Sequence, residues 1–281
     1  MSSDDVETTN KRPRTEEESP NFELEFTEAT TLRRCVEIAS QLLKEIDFEV
    51  CDGPDFTGLQ IRCIDTRQIC LVISKVTCKV IKGTGHRFTV NAGLLATCLR
   101  GIPPSFTLAL RQSSGDSDLH IIAKAGNENA DDSEQITYHV PTLVTGEAPP
   151  DLSSLSYSFS LTMDLAIFRQ LCKQAKDFNA EHTTFEIAAA AEKCNQQQLI
   201  IRATGNASFE RVFAAVAESE ADAIEALNVS FSNDYLLLML KSMEKGSIIL
   251  RLSANQPLLL SHCLDGEQSI IHFVLAPKCE D

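Results

Sequence analysis

The chain has 281 residues, 43% of them hydrophobic and 23% charged, and a formal net charge of −15. That composition fits one large globular domain or two of ordinary size with a real core. The negative balance argues against indiscriminate attraction to nucleic acid, so any contact with a polyanion has to come from local basic patches. No apolar run reaches the ~18–20 residues a membrane helix needs, and no N-terminal apolar segment resembles an export signal. The expectation is an intracellular protein without a membrane partner. Ten cysteines are scattered from Cys35 to Cys279 with no C-x-x-C pair, a pattern that reads as buried free thiols instead of a disulfide framework.

Residues 1–21 are polar and charged, with too little apolar surface to fold, and are expected to be a disordered tail. Within them, Lys11-Arg12-Pro13-Arg14 forms a basic cluster that reads either as a nuclear-import signal or as a solvated charge run. From Thr31 to Ile46 the apolar residues Leu32, Cys35, Val36, Ile38, Ala39, Leu42, Leu43 and Ile46 fall on one arc, which predicts an amphipathic helix. Strands are expected over Leu59–Asp65 and Ile69–Val76, and in a segment ending His86–Val90. A shorter helix follows over Asn91–Arg100, with Gly101 as its C-cap. Three more strand runs, SFTLALRQ, DLHIIAKA and EQITYHV, close the first half.

The second half repeats that order. A helix is expected over Leu161–Phe178, then strands TTFEIAAA, QQLIIRATG and FERVFAAVA. A second helix is expected over Asn233–Glu244 with Ser232 as N-cap, followed by strands SIILRLSA, PLLLSHCL and SIIHFVLAP. The two sets correspond with an offset of roughly 130–140 residues, which reads as an internal duplication. The expected division is 22–140 and 155–281, joined by a linker over 141–154 that carries Gly146 and Pro149-Pro150. Each unit then offers two helices to one face of a sheet, and a head-to-tail contact between identical chains would close into a ring or run on as a filament.

Three local motifs add to this order. They are Leu59-Gln60-x-x-x-Ile64-Asp65-x-x-x-Ile69-x-Leu71-Val72, Ser253-Ala254-x-x-Pro257-Leu258, and the terminus Leu275-Ala276-Pro277-Lys278-Cys279-Glu280-Asp281. Together with the element order they resemble the eukaryotic and viral proliferating cell nuclear antigen family of DNA sliding clamps, over about Phe22 to Asp281. The resemblance implies an α+β fold class of two duplicated clamp domains, with helices on one face of curved antiparallel sheets that assemble into a ring. It further implies a homotrimer encircling double-stranded DNA without sequence preference. Such a ring tethers DNA polymerase and other proteins bearing clamp-binding peptides, is set on DNA by a clamp loader, and works in the nucleus or a viral replication compartment. No cofactor, metal or catalytic residue is implied.

By the same resemblance the DNA-facing cations are Arg33, Arg34, Arg100, Lys173 and Lys241; Arg169, Lys176 and Lys44 are further candidates, since Arg169, Lys173 and Lys176 fall on one arc of their helix. A modest number suffices, because a sliding protein must not stick. Ser40, Thr97 and Asp234 stand where the family often has another base. The implied partner-peptide pocket consists of Ile64, Ile69, Leu71, Pro257, Val274, Leu275 and Ala276, with Val140 and Leu143 from the linker region. Val274 stands where the family tends to have an aromatic residue. Ring closure is expected between strand Asp118–Ala125 of one subunit and Glu210–Ala217 of the next. Two other readings stay open, a subunit of a heterotrimeric checkpoint-type clamp and a monomeric polymerase accessory factor. Enzyme motifs are absent: there is no Walker A loop, G-x-S-x-G or H-E-x-x-H, and the neighbours His262 and Cys263 would point to opposite faces of a strand.

Overall fold

The computed structural model describes residues 20–125, 134–146, 155–187, 196–216, 226–241, 243, 245–264 and 269–278. The basic cluster Lys11–Arg14, the linker from 147 to 154 and the terminal Cys279–Asp281 lie outside the described residues.

The first half runs β1 (Pro20–Phe26), α1 (Thr30–Ala39), β2 (Glu45–Asp52), β3 (Thr57–Ile64), β4 (Cys70–Thr77), β5 (Lys79–Lys82), β6 (Arg87–Asn91), α2 (Ala92–Arg100), β7 (Phe106–Ser113), β8 (Asp118–Ala125) and β9 (Gln135–Leu143). The second half runs β10 (Phe159–Asp164), α3 (Leu165–Asp177), β11 (His182–Ile187), β12 (Gln196–Thr204), β13 (Ser208–Val216), β14 (Leu227–Ser232), α4 (Asn233–Leu240), β15 (Ser247–Leu252), β16 (Leu258–Leu264) and β17 (Ser269–Leu275).

The duplication is visible in the strand order. The row β4-β3-β2-β6 is matched by β13-β12-β11-β14, and β9-β8-β7-β1 by β17-β16-β15-β10. In each half two helices pack side by side, α1 on α2 and α3 on α4. The cores are built alike as well. Phe48 on β2 stacks on Phe88 of β6 with ring centroids 5.1 Å apart, and Phe185 on β11 meets Phe231 of β14 edge-on at 5.6 Å. All four rings are buried. Aromatic pairs of this kind add roughly 0.5–1.5 kcal/mol beyond the area they remove from water.

Several elements depart from the sequence reading, each for a local reason. The helix expected over 31–46 stops at Ala39, where Ser40 Oγ bonds back to the Glu37 carbonyl at 2.8 Å. Ile46, Phe48 and Val50 then alternate inward as β2, so the strand period of two takes over from the helical period. Lys44 consequently sits in an exposed loop and not on a helix. The helix expected from Leu161 begins at Leu165, because Asp164 caps it by accepting from Ala166 N at 2.6 Å and Ile167 N at 3.3 Å. Residues 161–164 belong to β10. Helix α4 ends at Leu240 instead of Glu244, and Ser232 makes no side-chain cap bond. Strand β9 continues through Pro141 to Leu143, into the segment read as linker. Of the cysteines, Cys35, Cys63, Cys70, Cys78 and Cys172 are buried free thiols, and burial pushes those of Cys35, Cys63, Cys78 and Cys172 up to about 12. Cys263 is exposed, against the expectation of buried thiols throughout.

The halves are joined by backbone pairing. β17 runs antiparallel to β4 from Ile270↔Lys75 to Leu275↔Cys70, so both halves share one thirteen-stranded sheet among the described residues. A polar tie crosses the same junction. The Asp65 carboxylate, in the turn between β3 and β4, accepts from Ile69 N and Cys70 N at 2.7 Å and from Arg67 N at 3.1 Å. Its fourth donor is the buried hydroxyl of Tyr235 on α4, at 2.7 Å. Burial alone would raise the Asp65 pKa; these donors outweigh it and hold the carboxyl below its ordinary value. Burial and the facing carboxylate push the Tyr235 hydroxyl up to about 12. Replacing Tyr235 by Phe is expected to lower unfolding stability by about 1.5–3 kcal/mol, the range for a hydrogen bond to a charged group. A denaturant titration checks this, and an unchanged midpoint would show that the hydroxyl holds nothing.

Candidate functional site

Two surfaces carry the residues singled out in the sequence. The first is the helix face. Arg169, Lys173 and Lys176 of α3 and Lys241 at the end of α4 line one cavity of about 1120 Å³, beside Gln41, Leu42 and the Asp65–Arg67 turn. Arg67 is a cation the sequence reading missed, since a turn residue carries no helical periodicity. The charge there is mixed, because Asp65 and Asp234 line the same cavity and Lys176 Nζ lies 3.6 Å from Asp234. Arg169 has other work: its Nη2 donates to the carbonyls of Leu240, at 3.1 Å, and Met243. It closes the C-terminal end of α4, where unpaired carbonyls attract a cation. Lys173 and Lys241 are exposed.

The remaining cations stand on the first-half helices. Arg100 on α2 bonds the Ala96 carbonyl at 3.2 Å and lies 3.8 Å from Glu37 of α1. Arg33 and Arg34 on α1 are half-buried, and Arg33 Nε is buried without a hydrogen-bond partner. The structure thus gathers the second-half bases into one place and leaves Arg33, Arg34 and Arg100 on a neighbouring pair of helices.

The second surface is the outer face of the sheet at the junction of the halves. Strand register sets Ile64, Leu71, Val274 and Leu259 side by side across β3, β4, β17 and β16. The adjacent row on the same face is Arg62, Ile73, His272 and Ser261. Leu155 and Tyr157, entering β10, overlie this face and enclose with Ile73, Arg251, Leu259, His272 and Val274 a pocket of about 390 Å³. Ser261 Oγ lies 2.8 Å from His272 Nδ1. Burial, followed by the nearby positive charges of Arg251 and Lys75, lowers the His272 pKa to about 4, so the ring is neutral at physiological pH.

The expected pocket residues divide between the two faces. Val274 lines the cavity, Leu71 is its buried neighbour in register, and Ile64 is exposed on the same row. Ile69 is half-buried in the turn, where its carbonyl accepts Ala276 N at 2.9 Å. Ala276 is exposed and Pro257 half-buried, and they flank a second cavity of about 720 Å³ lined by Ala226–Ser230, Ala254–Gln256, Pro277 and Lys278. Leu275 and Val140 are fully buried in the core and present nothing to a partner. A period of two puts Leu275 on the opposite face from Val274. Leu143 is exposed at the end of β9, in register with Thr89. Leu155, Tyr157, Arg251, Leu259 and His272 were missed. Only Arg251 carried a signal, as the single charge in an otherwise apolar strand.

No family model matches the sequence, and no curated protein matches it either. Solved structures do match in shape. The proliferating cell nuclear antigen (PCNA) of Thermococcus kodakaraensis superposes with a TM-score of 0.72 at 18% identity, over 92% of this chain and 100% of that one. The Proliferating Cellular Nuclear Antigen of Entamoeba histolytica gives 0.71 at 18% identity, over 93% and 100%. With its duplicated strand order, paired helices and continuous junction sheet, this chain has the fold of the proliferating cell nuclear antigens.

Proposed function

We propose that the chain is the subunit of a DNA sliding clamp: a ring that surrounds duplex DNA and tethers a polymerase and other partners through the outer pocket. The observation that carries this reading is an unfinished repeat. Inside the chain, β17 of the second half pairs with β4 of the first. Their counterparts by strand order are β9 and β13. Among the described residues β13 has β12 as its only sheet neighbour, and β9 meets β6 only at Leu143 and Thr142 beyond its pairing with β8. Two strand edges of opposite halves, related as β17 and β4 are, therefore await each other in another copy. Such a head-to-tail contact closes into a ring when the rotation allows, and it satisfies edges that would otherwise invite aggregation.

This corrects the strand expected to close the ring. β8 (Asp118–Ala125) lies between β7 and β9 and has no free edge, so β9 takes its place opposite β13. The half-buried Ile136 and Tyr138 on β9, and Phe209 and Phe213 on β13, supply apolar surface to the joint. A division near 22–140 and 155–281 fits the repeat, and three chains to a ring is what the sequence resemblance implies. The mixed charge of the helix face supports sliding over gripping, because exposed cations opposite scattered acids hold phosphates weakly and in a salt-dependent way.

Two measurements test the proposal. At micromolar concentration, sedimentation should show a species near three chains. Val212→Glu, placing a charge on the exposed edge of β13, should weaken that association by at least about tenfold, equivalent to ~1.4 kcal/mol. A wild-type chain that stays monomeric rejects the ring. The second measurement is retention after loading: closed circular duplex should keep the protein and a linearised one should lose it. Neutralising Arg67, Lys173 and Lys241 should lower retention and flatten its salt dependence, by about one unit of logarithmic slope for each phosphate that the removed cation neutralised. Equal persistence on circular and linear DNA would instead describe a factor that holds DNA on one face.

A further inference from the structure

We infer that the outer junction pocket receives an acidic side chain, Asp or Glu, from the partner peptide, seated between the Arg251 guanidinium and the Tyr157 hydroxyl beside an aliphatic anchor. The inference rests on the reading of this face as the peptide-docking surface and adds the chemistry of what docks.

Arg251 lines a slot that is otherwise mostly apolar, formed by Ile73, Leu155, Leu259 and Val274. It is half-buried, and its side chain makes no hydrogen bond or ion pair to any described residue. Two other strand cations do have carboxylates: Lys79 reaches Glu25 at 2.9 Å, and Arg202 lies between Glu186 and Glu210 at 2.5 and 2.7 Å. In a chain of net charge −15 an unanswered guanidinium next to a cavity is out of keeping with its surroundings.

Two further polar groups at the same place lack partners. Tyr157 Oη is buried with no hydrogen bond, and so is Ser160 Oγ, directly across from Arg251 in the β10–β15 register. Buried donors left unmade are costly, and native structures keep few of them without a use. The local field is positive: the charges that act on His272 are Arg251 and Lys75, and the one that acts on Tyr157 is Arg251. An arriving carboxylate would accept from both the guanidinium and the phenol. In a slot walled by aliphatic side chains those bonds are screened less than at open surface. Val274 leaves the floor of the slot aliphatic, which suits a small apolar side chain next to the acid.

The experiment uses the full-length chain and capped, C-terminally amidated peptides of the clamp-binding class that the resemblance implies, which carry an aliphatic plug and two aromatic residues. One Glu is scanned through the remaining positions, and every peptide has a Gln twin; binding is read by fluorescence anisotropy. At one position the Glu peptide should bind at least about tenfold tighter than its twin. Arg251→Gln should abolish that preference, Arg251→Lys should keep part of it, and Tyr157→Phe should reduce it, with melting temperatures confirming that each variant is folded. If peptides bind without any Glu preference, or if the preference survives Arg251→Gln, the acidic-seat inference is wrong while the docking surface stands. If no peptide of the set binds the wild-type chain, both are wrong.

Discussion

Everything distinctive about this molecule follows from the antiparallel seam between β4 and β17. Six residues of each strand stand in register there, and without them the two halves would be separate sheets joined by a covalent tether. The seam places the Asp65 turn against α4, so that one carboxylate can organise its own turn and hold a tyrosine of the other half. It sets Val274 beside Leu71 on the outside while Phe273 and Leu275 go inward to the core. The helix-face cavity exists for the same reason, since its walls come from α3 and α4 on one side and from the end of α1 and the β3–β4 turn on the other.

The seam also makes an internal argument about assembly stronger than a likeness of shape at 18% identity could be. A duplicated chain that uses one end of each repeat to join its own halves leaves the other ends over. On the proposed function those ends, β9 and β13, would meet between copies as β17 and β4 meet within one, and closed symmetry would avoid an open filament.

Much of this was legible in the sequence, and the failures have physical causes. Helix α2 was legible to within one residue, starting at Ala92 instead of Asn91 and ending at Arg100, because its signals are local: Asn91 Oδ1 accepts from Leu94 N, and Gly101 follows the last turn. Helix α1 reads too long because Leu42, Leu43 and Ile46 continue a helical spacing by coincidence, and Ile46 belongs to the alternation of β2. Strand β5 escapes a reading by period because it has four residues, and β10 because Leu161 continues the helical spacing of Leu165, Phe168 and Cys172; β1 and β14 escape it too. The error over the closing strand has a different origin. Whether a strand is an edge depends on its neighbours in space, and β8 and β9 have similar alternation. Arg169 shows the same limit for a side chain: its helix position suggests a phosphate ligand, whereas the carbonyls at the end of α4, some seventy residues away in sequence, take up its donors.

Charge placement separates the two working surfaces. On the helix face the bases stand among acids, and Lys176 even faces Asp234; on the proposed function such a face would draw a uniform polyanion without fixing its position. In the outer pocket the reverse holds. One guanidinium has no acid of its own, its neighbours are aliphatic, and two buried hydroxyls beside it are unpaired. An interaction of that kind is short-ranged and directional, and it discriminates among partners by one side chain. A clamp needs both properties at once, indifference toward the molecule it travels along and selectivity toward those it carries. On the proposed function this chain would keep the two apart, with the mixed-charge cavity beside the helices and the unpaired guanidinium on the outer face of the sheet, so that a tighter grip on a partner would not add to the drag on DNA.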